Sequence, residues 1–148
     1  MTPNAVTTEE EEAGLRAFLD TLPEGTALAA RTVAHAWAAA GGTLAPGRFA
    51  VRLLGPGRDG RPPFTAATLF APRGDRAAPC LEVAKPILEH NGVDADRFVH
   101  WADEVVDVGD GIDPATKFPT LPLGPDLATS DLARLVGALR DLARMAGA

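Results

Sequence analysis

The sequence predicts an α+β fold: about five helices packed on a small two- or three-stranded antiparallel sheet. Three observations lead to it. Stretches with apolar residues at helical spacing occur at both ends of the chain and between them. Two central runs, "RFAVRLL" and "FTAATLF", carry the β-branched, aromatic and alternating character of strands. Between the elements lie clusters of the 15 glycines and 13 prolines, which mark many turns and short elements.

Residues 1–7 read as a flexible N-terminal tail, and 8–148 as one α+β domain. Thr8 and Glu11 have the spacing of a capping box, so a helix should open there. Leu15, Phe18, Leu19 and Leu22 give it one apolar face, and "LPEG" ends it. Thr26 is placed to cap a second helix, with Ala29, Val33, Ala36, Trp37 and Ala40 as its buried stripe and Gly41-Gly42 as its stop. In "RFAVRLL", residues 48–54, Phe49, Val51 and Leu53 should face a core, with Arg48 and Arg52 pointing outward. "FTAATLF", residues 64–70, is the second strand, joined to the first by the turn formers "GPGRDGRPP" as a long-looped hairpin.

Residues 80–91 look helical, with Pro86 expected to kink or break the element and Asn91-Gly92 to cap it. A further helix is expected from about Asp94 to Val106, then an irregular stretch with a short edge strand in "FPTLPL". Thr129 or Ser130 starts the last helix, whose Leu132, Leu135, Val136, Leu139, Leu142 and Ala143 should face inward.

The composition excludes several classes of function. The formal net charge is −6, which disfavours nonspecific contact with nucleic acid or anionic membrane. The N-terminus is polar and acidic, unlike a signal peptide, and no apolar run reaches the roughly 20 residues of a membrane span. The expectation is a cytoplasmic protein without membrane contact. The single cysteine, Cys80, forms no intramolecular disulfide and suits a reducing compartment. The Arg-rich, Ala-rich composition is read as the codon bias of a GC-rich bacterial genome.

Charge is unevenly spread. Residues 48–76 hold Arg48, Arg52, Arg58, Arg61, Arg73 and Arg76 against Asp59 and Asp75, a local +4 that leaves −10 for the rest. Such a segment either solvates a hairpin edge, its arginines meeting the acidic helices, or binds an anionic partner. Two helices followed by an Arg-bearing hairpin resembles the winged-helix arrangement, in which the wing touches the phosphate backbone. The resemblance is one of arrangement, without a sequence signature. It implies a recognition helix at residues 27–40, which offers Arg31, Thr32 and His35 among alanines.

In "DADRFVHWADEVVD", Asp96, His100, Asp103 and Asp107 fall on one helical stripe, opposite Phe98, Trp101, Ala102, Val105 and Val106. The reading is a solvated acidic face. The rival is a divalent metal site on Asp96, His100 and Asp103, since His and Asp one turn apart can share an ion. Zinc sites, however, favour the thiolates and multiple imidazoles that this stretch lacks. Cys80 follows Pro79 at the expected helix start, where the dipole would lower a thiol pKa, but nothing in the sequence brings a base to it. Phosphate-loop, dinucleotide-binding, nucleophile-elbow and zinc-protease motifs are all missing, and "DVGDGIDP" lacks the spacing of a calcium loop. There is no tyrosine, and the aromatics fall mostly on faces expected to be buried.

The expectation is therefore a non-catalytic interaction or regulatory domain with no cofactor, metal or catalytic residues. It would bind a protein or other anionic partner through the Arg-rich hairpin and an acidic helical face, with self-association open to it. The alternatives are a winged-helix-like nucleic-acid binder and a metal-assisted enzyme on the Asp96/His100/Asp103 face.

Overall fold

In the computed structural model of the protein, the described residues are 8–23, 25–55, 62–72, 79–93, 120–123 and 129–147. The order is α1 (Glu9–Leu19), α2 (Ala27–Ala39), β1 (Thr43–Pro46), β2 (Ala50–Gly55), β3 (Phe64–Phe70), β4 (Cys80–Val83), α3 (Lys85–His90), β5 (Thr120–Pro122) and α4 (Thr129–Gly147). The strands form one antiparallel meander in the order β1-β2-β3-β4-β5. The α+β class is as expected. The sheet has five strands instead of two or three, and four helices lie among the described residues.

The helices form where local chemistry directs them. Thr8 Oγ1 accepts from the Glu11 N–H (3.0 Å), and Glu11 Oε1 accepts from the Thr8 N–H (2.9 Å), closing the predicted capping box. α1 buries Leu15 and Phe18. α2 buries seven residues, Ala29, Ala30, Val33, Ala34, Ala36, Trp37 and Ala38, a wider face than the expected stripe. Thr26 caps by position only: its hydroxyl donates to the Pro23 carbonyl (2.6 Å) and not into the helix. Gly41 ends α2 at φ +104°, a conformation that penalises any side chain.

Two elements differ from expectation. Residues 80–91 are not one helix. "CLEV" pairs with β3 as β4, and the helix begins only at Lys85, with Pro86 in its first turn. Proline costs nothing there, because the first-turn N–H groups have no helical partner. Pro86 thus helps to start α3 and does not kink a longer helix. β1 was not foreseen: "TLAP" has weak strand character, and its pairing with β2 makes it a strand. The expected edge strand in "FPTLPL" is β5. The expected tail and the helix from Asp94 to Val106 lie outside the described residues.

The core gathers on one side of the sheet. Val51, Leu53, Leu69, Leu81 and Val83 share a cluster with Leu15, Phe18, Val33, Trp37, Leu88, Leu135, Leu139 and Leu142. Between β2 and β3 the register shifts at Leu53/Leu54. Leu53 pairs with Ala67 and Leu54 with Thr65, so Ala66 is an extra residue on β3. The bulge explains why consecutive Ala66 and Ala67 are both fully buried. Beside it, the Leu54 carbonyl accepts from Trp37 Nε1–H (2.9 Å), which ties α2 to the sheet. A Cβ at Gly42 would fall inside the Trp37 indole, so glycine is required beside that bond.

Candidate functional site

The β1–β2 connection is short and rigid. Gly47 N–H donates to the Ala50 carbonyl (2.7 Å), which leaves Arg48 and Phe49 as the loop. The Phe49 carbonyl accepts from the Ala71 N–H (3.0 Å), beyond the end of β3, so three strands hold the turn. Its side chains nevertheless lie in solvent. Phe49 is 65% exposed, against the expectation that it faces the core. The strand starts at Ala50, so the alternation that buries Val51 and Leu53 does not extend back to residue 49. The Arg48 guanidinium carbon stands over the Phe49 ring, 5.2 Å from its centroid.

Arg48 and Arg52 are both exposed, as expected. Arg52 projects from the outer face of β2, with Nη1 3.5 Å from Thr65 Oγ1, a marginal contact. No described carboxylate stands within ion-pair distance of either guanidinium. Arg58, Arg61, Arg73 and Arg76 lie outside the described residues. Their described flanks fall at two ends of the sheet. Ala71-Pro72 and Pro79-Cys80, on either side of 73–78, lie at the end that carries the β1–β2 turn, because Phe70 pairs with both Ala50 and Cys80. Gly55 and Pro62, on either side of 56–61, lie at the opposite end.

Asp96, His100 and Asp103 also lie outside the described residues. Among the described residues, no group of three or more His, Cys, Asp and Glu could hold a metal ion. Cys80 is the first residue of β4 and 2% exposed, so the expected helix-start environment does not exist. His35 faces Glu12 instead, with Nε2 at 3.2 and 3.3 Å from the two carboxylate oxygens, and joins α2 to α1. Both side chains are about one-third exposed, and such a pair contributes about 0–1 kcal/mol. An open cleft between α1 and α2 brings Glu12, Arg16 and Asp20 beside Leu28 and Arg31, charges of both signs.

Each edge strand carries features that discourage strand pairing. On β1, the Gly47–Ala50 bond sets the phase: Thr43, Ala45 and Gly47 face β2, and Leu44 and Pro46 face outward. The Leu44 N–H donates to Glu11 Oε2 (2.7 Å), and Pro46 has no N–H. On β5, Leu123 N–H donates to the Pro79 carbonyl (2.8 Å), so Leu121 faces β4 and Pro122 faces outward. A proline thus occupies an outward position on each edge, a known defence against unwanted strand pairing.

Sequence reading identified Arg48 and Arg52 as exposed but missed Phe49. The signal was present in "APGRF": Pro46-Gly47 is a turn former that places Phe49 before the strand. Comparison with protein-family profiles, curated proteins and solved structures found no match for the chain. No helix among the described residues is long and apolar enough to cross a membrane.

Proposed function

We propose that the protein is a non-catalytic interaction module that binds an anionic protein partner at the β1–β2 turn, through Arg48, Phe49 and Arg52. One observation carries the reading: a cation–aromatic pair held out in solvent on a turn that three strands hold in place. Arginine and aromatic residues dominate binding hot spots, and a fixed backbone reduces the ordering cost of binding. No carboxylate among the described residues lies within ion-pair distance of the two guanidiniums, which favours an acidic partner.

The nucleic-acid alternative draws on the same arginines, but α2 supports it poorly as a recognition helix. Seven of its residues are buried. Thr32 Oγ1 donates to the Leu28 carbonyl (2.8 Å) and His35 meets Glu12, which leaves Arg31 as the free donor. The test is fluorescence anisotropy of a labelled oligo-glutamate peptide and a labelled DNA duplex, at low and near-physiological salt. The module reading expects saturable peptide binding, weakened by salt and lost in Arg48→Glu/Arg52→Glu. Duplex binding with a steep salt slope would favour the nucleic-acid alternative. Absence of both would overturn the proposal.

A further inference from the structure

We propose that the partner segment is acidic and also carries an apolar side chain. That side chain would seat on the Phe49 ring while neighbouring carboxylates engage Arg48 and Arg52. The segment docks by its side chains, without adding a strand to the sheet. This rests on the interaction-module reading and deepens it.

Charge alone does not account for the turn. Two exposed arginines would suffice to hold a polyanion, yet a phenylalanine stands between Arg48 and the start of β2 with its ring 65% exposed. Exposing so much aromatic surface forgoes favourable burial. Two main-chain bonds beside the ring, Gly47 to Ala50 and Ala71 to Phe49, hold it there. Arg48 covers part of the ring, 5.2 Å from its centroid, which presets the guanidinium beside the apolar surface. An exposed aromatic on a hydrogen-bonded turn, next to a guanidinium without a carboxylate partner among the described residues, matches a ligand with an apolar group beside a carboxylate.

The edges disfavour the commonest alternative for a small antiparallel sheet, addition of an extended peptide, although Thr120 of β5 shares the outward phase of Pro122. The outward N–H of Leu44 belongs to Glu11, and Pro46 and Pro122 have none to give. The partner is therefore recognised by groups that side chains present, and the turn is where those groups gather.

The experiment compares three labelled probes by anisotropy: an oligo-glutamate peptide, a peptide in which phenylalanines interrupt the glutamates, and an oligothymidylate. Each is titrated with the wild-type protein, Phe49→Ala and Arg48→Gln/Arg52→Gln. Circular dichroism confirms that the variants are folded, which the exposure of all three side chains favours. The expected result is that the phenylalanine-containing peptide binds the wild type about tenfold tighter than oligo-glutamate. That advantage should survive added salt and vanish in Phe49→Ala, while the double arginine variant weakens both peptides.

Equal affinity for the two peptides, or an advantage that persists in Phe49→Ala, would overturn this inference and leave the electrostatic reading standing. Tighter binding of oligothymidylate that depends on Phe49 would reassign the ring to base stacking and also overturn it. No binding by any probe would remove both this inference and the module reading beneath it.

Discussion

Glu11 uses both of its carboxylate oxygens. Oε1 closes the α1 capping box at Thr8, and Oε2 takes the outward N–H of Leu44 on β1. One residue therefore starts the first helix and seals the first edge of the sheet. Glu11→Ala is expected to destabilise the fold by about 1–3 kcal/mol, from a lost cap and an unsatisfied edge donor. Glu11→Gln keeps a neutral acceptor and should lose less, and urea unfolding followed by circular dichroism orders the two. Trp37 has a comparable role at the other end of α2. It is fully buried, and its indole N–H satisfies the Leu54 carbonyl at the bulge. Trp37→Phe should cost about 1–3 kcal/mol, from a partial void and the lost indole hydrogen bond. If its unfolding midpoint matched that of the wild type, the indole bond would contribute nothing.

At the scale of elements, α1 lies close along β1. A Cβ on Gly14 would come within 2.6 Å of the Pro46 Cβ. Alanine favours a helix over glycine by about 1 kcal/mol, yet Gly14→Ala is expected to lower stability by about 1–3 kcal/mol, because α1 must move off the edge strand. A thermal melt decides the sign. The edge itself gives a second prediction. Pro46→Thr creates an outward N–H on β1 and should raise concentration-dependent self-association, seen by light scattering, while Arg52→Ala should not. An unchanged scattering profile would show that the proline does not guard the edge.

The same elements show how far the sequence could be read. α1, α2 and α4 were legible because helical periodicity and caps act within a few residues of one another. β2 and β3 were legible from their composition and the turn formers between them. β1 was not, because "TLAP" becomes a strand through partners elsewhere in the chain: β2 alongside it and Glu11 across its edge. β4 was taken for helix because four residues cannot establish an alternation, and Leu88, helical and buried, follows soon after. The Ala66–Ala67 bulge is invisible to a strict two-residue period, since two successive small residues face the core. At the candidate site, the exposure of Arg48 and Arg52 followed from alternation. The exposure of Phe49 did not, because the turn at Gly47 resets the phase before the strand begins.

Across the whole molecule, charge is partitioned along the chain. The segment 48–76 carries +4 within a chain of net −6. Under the proposed function, such a division would steer encounter with an acidic partner and orient it toward the hairpin. Steering acts mainly on the association rate. Raising salt from low to near-physiological should slow association with an oligo-glutamate peptide by several-fold while changing dissociation less, as stopped-flow fluorescence would show. A salt effect confined to dissociation would place the electrostatics in the bound contact alone. The sheet described above offers a partner no free N–H at Leu44, Pro46 or Pro122, and no carboxylate among the described residues pairs with the arginines at the turn. Under the proposed function, both features would direct binding to side chains at one end of the β2–β3 hairpin.

The most direct measurement is a two-dimensional amide NMR titration of the labelled protein with the phenylalanine-containing acidic peptide. The predicted result is a set of shift changes concentrated at residues 47–52 and around Ala71, with the α1–α2 cleft and the Glu11–Leu44 contact unmoved. Shift changes centred on Arg16, Leu28 and Arg31, or none at the turn at saturating peptide, would contradict a binding site built on Arg48, Phe49 and Arg52.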